Sequence, residues 1–189
     1  MNQFIYDFAL WVDGTRWSTM LHESYYMYNW VETTHVLALM ISLGLLMLID
    51  LRMLGWALPN MPARAFADRM HWPMLLGFSV MIITGVLLFY AIPVRTSQSI
   101  WFRIKFVLLF AAFINALRFH KHLREAGEQW VDELRAPKNL RRGAGLSLLF
   151  WTGIVICGRL IAYDWFDCIK NPHPLMANLA GCLADQEVF

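Results

Sequence analysis

The sequence predicts an all-α integral membrane protein: an up-down four-helix bundle with an N-terminal interfacial helical segment. Three observations carry this. Hydrophobic residues make up 58% of the chain and charged residues 16%, against roughly 25% charged in a soluble domain. Four separate windows are each long enough to cross hydrocarbon, which takes about 20 mostly apolar residues. Lys and Arg concentrate in alternate connections, as they do in polytopic proteins. With 189 residues there is room for one domain.

The predicted spans are residues 31–51, 72–92, 100–119 and 144–163, so the bundle occupies 31–163. Pro59, Pro62, Pro93 and Pro137 fall between them, where chain direction must change. The link at 93–99 is short, which makes the second and third spans antiparallel neighbours. The connection from Lys121 to Gly143 is long and of mixed charge, and is expected to extend the third span as a helix ending before Pro137. Gly44, Gly77, Gly85, Gly153 and Gly158 sit inside spans and permit close helix contact.

Orientation follows from basic residues. Arg52, Arg64 and Arg69 lie in one connection, and Arg118, Lys121, Arg124, Arg135, Lys138, Arg141 and Arg142 in another on the same side. That side is expected to be cytoplasmic, so both termini face outward. The first fifteen residues lack Lys and Arg and contain two Asp, which does not resemble a cleavable signal. Residues 1–30, with Phe4, Phe8, Trp11 and Trp17, are expected to lie along the outer surface. Tyr25, Tyr26, Tyr28, Trp30, Trp101, Tyr163 and Trp165 are expected at headgroup depth. Residues 164–189 form an outer tail. There, Cys168 and Cys182 are placed to form a disulfide in an oxidising compartment, and Cys157 reads as a packing residue. The small net charge of +2, spread over short loops, gives no reason to expect a nucleic-acid partner.

Ionisable groups inside a bilayer are costly, so each is a candidate for function. Glu32 and His35, at i and i+3, share a face of the first span. Glu-x-x-His is half of a four-helix di-metal signature, but no second copy exists in this chain. A b-type haem, held by two histidines on facing helices, is the alternative. His71 opens the second span and His120 closes the third, with His122 beside it, so these adjoin on the inner side. On the outer side His35 would pair with His22 if the N-terminal segment folds back. Histidines at the water boundary also need no special explanation, and a structural role stands beside the haem reading for His71 and His122. Lys105 and Arg159 either snorkel or meet Glu32, a haem propionate or an anionic ligand. Asn115 is expected to bond across helices. Taken as metal ligands, the set is His35, Glu32 and His120. No Met-x-x-Met cluster supports copper among the eleven Met. No hydrolase triad, phosphate loop or zinc-protease motif is present, so an independent catalytic activity is not expected.

The run Glu32-x-x-His35, Gly44, Asp50-Leu51-Arg52-x-Leu54-Gly55 resembles an uncharacterised family of bacterial four-helix inner-membrane proteins. So do Thr84-Gly85-x-Leu87-Leu88-Phe89, Lys105, Asn115-Ala116, Phe119-His120 and Gly158-Arg159-x-Ile161-Ala162-Tyr163. The resemblance covers about residues 17–165 and implies the fold and membrane without an activity. His35 and His120 belong to its pattern and His71 does not. More remotely, helix count and histidine placement are similar to the membrane parts of cytochrome b-type proteins and of copper-resistance protein D, an analogy of fold. His35 and His120 stand near opposite membrane faces, so each would need its own second ligand. Three functions are therefore expected to compete: a b-type haem or quinone-linked electron-transfer subunit, a non-catalytic anchor for membrane or periplasmic subunits, and copper handling.

Overall fold

In a computed structural model the chain is all-α among the described residues, which are 2–58, 60–125, 136–163, 168 and 173–183. Of Ala63 and Arg64 only the backbone is described. Among the described residues eight α-helices follow one another: α1 (Asn2–Asp13), α2 (Arg16–Glu23), α3 (Met27–Leu54), α4 (Ala63–Ala91), α5 (Pro93–Ser97), α6 (Ile100–Glu125), α7 (Lys138–Ile161) and α8 (Pro174–Ala180). Of these, α3, α4, α6 and α7 are long and apolar enough to cross a membrane, which makes the protein a four-helix membrane bundle.

The four long helices run beyond the hydrocarbon windows because their ends carry polar turns. Thus α4 starts at Ala63, so that Asp68, Arg69 and His71 lie on a helical extension. Pro73 sits inside that helix and removes one backbone donor. α7 begins at Lys138, directly after Pro137, whose carbonyl accepts from Arg141 N at 3.0 Å. The extension of α6 is described to Glu125. The rest of the expected cytoplasmic helix, with Glu128, Asp132 and Glu133, lies outside the described residues, as does Trp165. Large side chains such as Leu76, Phe106 and Leu149 are exposed along the spans. In water that would be untenable; in lipid it is the solvated face.

The chain forms two compact units, 1–34 with 83–107 and 155–189, and 35–82 with 108–154. In the second, an apolar cluster of Ile49, Met53, Phe66, Ala136, Leu140 and Ala144 joins α3, α4 and α7. Close approach depends on small residues. A Cβ on Gly77 of α4 would stand 2.9 Å from Ser42 Cβ of α3, and one on Gly153 of α7 would stand 3.0 Å from Leu108 Cδ1 of α6. Phe78 and Trp151 meet with ring centroids 5.1 Å apart.

In the first unit the short helices form a cap. Tyr6, Ala9 and Val12 bury one face of α1, which packs on α5. Thr15 caps α2, accepting from Ser18 N at 3.4 Å. The Thr15 hydroxyl donates to Val12 O at 2.7 Å, so in its 2.6 Å contact with Tyr90 the tyrosine donates. Ser18 Oγ donates to Tyr90 O at 2.9 Å. α8 opens with His173 as N-cap and Pro174 in its first turn, and closes at Gly181, whose φ of +83° favours glycine. Gly181 N and Cys182 N both donate to Ala177 O at 2.9 Å. Cys168 and Cys182 are joined in a disulfide, with Cα atoms 5.5 Å apart.

Candidate functional site

Polar side chains gather at three places. The first is Arg103, near the start of α6. Its guanidinium donates to Leu179 O at 3.0 Å, Asn2 Oδ1 at 3.2 Å and Ser97 O at 3.3 Å, and lies against Gly181. One cation thus ties α1, the end of α5 and the α8 C-cap to a spanning helix. Asn2 Nδ2 reinforces this by donating to Asn178 O at 3.3 Å. Nothing in the sequence pattern marks Arg103. Its role is visible only in space, where the missing side chain of Gly181 leaves room for the guanidinium beside a helix end bridged by the next residue.

The second place is the rest of the same unit. Lys105 Nζ would be 3.3 Å from a Cβ on Gly158, so the missing side chain makes room for the ammonium. Cys157 is buried on α7 as a free thiol. Arg159 turns along its own helix, donating to Tyr163 OH at 2.6 Å and stacking over that ring at 4.8 Å. That is a cation drawn toward the span end, as expected for snorkelling. Glu32 is exposed. His22 is exposed on α2.

The third place is in the other unit. Asn115 Nδ2 donates to Gly143 O at 2.9 Å, bonding α6 to α7 as anticipated. Asn115→Ala should cost about 1 kcal/mol in a reversible denaturation series in mixed micelles. Asp50 is buried, and its Oδ2 has no hydrogen-bond partner among the described residues. Arg52, also buried, donates from Nε to Met61 O at 2.7 Å. Gly143 was not singled out by sequence, since a carbonyl on an apolar helix carries no pattern of its own. His35 is half-buried on α3.

The histidines of this unit divide by what they touch. His71 is exposed, with its ring edge-on to Trp72 at 5.9 Å. His122 Nδ1 pairs with Glu125 at 3.1 Å on the exposed surface. His120 Nδ1 lies 2.9 Å from Ala116 O. A carbonyl only accepts, so Nδ1 is the donor in this contact. No hydrogen bond, ion pair or ring contact joins His71 to His120 or His122 among the described residues. Nor do three or more His, Cys, Asp or Glu side chains there form a group able to hold a metal ion.

A family sequence profile matches residues 19–164, which spans all four membrane helices and leaves out α1 and α8. The chain belongs to the Family of unknown function (DUF6644). No curated protein and no solved structure matches it. The DUF6644 region thus includes Lys105, Asn115, His35 and His120. The disulfide, with both its cysteines, and Asn2 lie outside it. Arg103 therefore reaches from the DUF6644 core to elements beyond it at both ends of the chain.

Proposed function

We propose that this protein is a multi-pass subunit of the bacterial inner membrane, with both termini outside, that anchors a membrane or extracytoplasmic protein partner through its cap. The observation that carries this is the Cys168–Cys182 disulfide. Such bonds persist in oxidising compartments, so the unit that holds the bridge, α1, α2 and α8 belongs on the outer side. The excess of Lys and Arg in the two opposite connections supports the same sidedness. Turning the chain between spans needs only a few residues. Here Arg103 and the bridge instead hold several short helices in fixed places, and Leu175 and Leu179 stand exposed on α8. A preordered surface of that kind lowers the ordering cost of docking a partner.

Mild extraction from host membranes followed by native mass spectrometry tests the reading. The expected result is a stoichiometric complex that dissociates when Cys168 and Cys182 are both replaced by Ser. A wild-type chain that leaves the membrane alone would count against it.

One observation favours a second reading, a b-type haem or quinone-linked electron-transfer subunit. His120 holds its Nδ1 proton on a carbonyl and presents Nε2, as axial ligands do. The residues fit a haem at one axial position. His122 lies on the opposite side of α6 from His120, being two residues on, and cannot complete the pair. Haem there would supply one-electron chemistry. His120 would bind the iron, and Ala116 O would fix the imidazole. The remote likeness to cytochrome b-type proteins and copper-resistance protein D belongs to this reading and rests on fold analogy. A dithionite-reduced absorption spectrum decides it. Haem bands that vanish in His120→Ala are expected, and a purified protein with no Soret band would sink this reading.

A further inference from the structure

α1 carries three distinct stripes. Ala9 and Val12, with Tyr6, face the protein and are buried. Gln3 and Asp7, linked at 3.0 Å, form a polar edge. Phe4, Phe8 and Trp11, at i, i+4 and i+7, make a continuous aromatic stripe, with Phe8 and Trp11 in ring contact at 6.0 Å. Phe4 is 75% exposed, Trp11 69% and, on α2, Trp17 73%, so the largest apolar side chains of the segment are its least covered.

The depth of this segment is fixed by its bonds. Thr15 and Ser18 attach to Tyr90 in the last turn of a spanning helix. α1 packs on α5, the short link between two spans. Both attachments are at span ends, where hydrocarbon gives way to headgroups. An aromatic stripe held at that level stands where hydrocarbon and headgroups meet. Trp and Phe there combine apolar bulk with tolerance of the polar boundary. The charge of α1 selects among lipids: it bears Asp7 and Asp13 and no Lys or Arg, and on α2 Arg16 is matched by Glu23.

We propose that α1 and α2 are a lipid-binding platform, with Phe4, Phe8, Trp11 and Trp17 seated in a zwitterionic headgroup layer and Asp7 turned to water. This holds whichever side of the membrane carries the termini, so it stands apart from the sidedness and from the anchor reading.

The test is fluorine NMR of the full chain carrying 5-fluorotryptophan in phosphatidylcholine nanodiscs. The Trp11 and Trp17 signals are assigned from Trp11→Phe and Trp17→Phe. Both signals should broaden strongly with a doxyl lipid labelled near the headgroup and weakly with one labelled near the chain end. Adding phosphatidylglycerol should not strengthen the effect. The proposal is overturned if a water-soluble paramagnetic chelate broadens these signals while the lipid labels do not. It is equally overturned if neither agent reaches them, which would mean that protein covers the stripe.

Discussion

Replacing Cys168 and Cys182 together by serine is expected to release α8 from the cap while leaving the apolar cluster of the spans intact. The bridge closes a loop with a sequence separation of 14. By the chain-entropy argument a loop of that size contributes about 3 kcal/mol. The loss should be local, because Ile49, Met53, Phe66 and Leu140 make their contacts in the other compact unit. Hydrogen exchange read by mass spectrometry is the fitting measurement. Amides of residues 177–182, now bonded around the α8 C-cap, should lose protection by about a hundredfold, given that each 1.4 kcal/mol is tenfold. Those of α3 and α7 around Met53 and Leu140 should not change. Gly181→Ala acts on the same place by a different route. It forces a Cβ into left-handed backbone and against the Arg103 guanidinium. The backbone alone costs about 1–2 kcal/mol, and displacing Arg103 would remove its bonds to Leu179 and Asn2. Uniform loss of protection across both units would refute a locally held cap.

The second large effect is expected at Gly77. A side chain there meets Ser42, whose own hydroxyl is turned back to Ala38 O at 2.6 Å. Backbone stands behind that contact as well, with Ser42 Cα 3.4 Å away, so neither helix can yield by a rotamer change alone. Gly77→Leu should cost at least the 1–3 kcal/mol typical of overpacking, and Gly77→Ala less. Gly44 is the control, because a Cβ there meets nothing within 4 Å. Gly44→Leu should leave the melting temperature in micelles unchanged. Equal effects at the two glycines would mean that α3 and α4 do not approach at Ser42.

Membrane physics made the spans legible. Each backbone polar group must be satisfied within its own helix, so a spanning element announces itself as a long apolar run. The windows and the cysteine pair could be read without a partner in view. The polar contacts could not. Asn115 was recognisable as a bonding residue because an amide in lipid needs a partner, but nothing in its pattern names Gly143 O. Arg103 carries no sequence pattern that names its partners. Its hub position depends on Gly181, some eighty residues on, meeting it in space. The histidines show the limit most plainly. The feature that sets His120 apart is a local one, its ring turned to Ala116 O.

Sidedness is what the proposed role depends on, and cysteine labelling in intact cells reads it directly. Thr19→Cys on α2 and Lys121→Cys on α6 are both exposed positions, and the native free thiol, Cys157, is buried. A membrane-impermeant maleimide should modify Thr19→Cys in intact cells and Lys121→Cys only after lysis. Labelling of Lys121→Cys in intact cells, with Thr19→Cys protected until lysis, would place the disulfide-bearing cap inside and contradict the account.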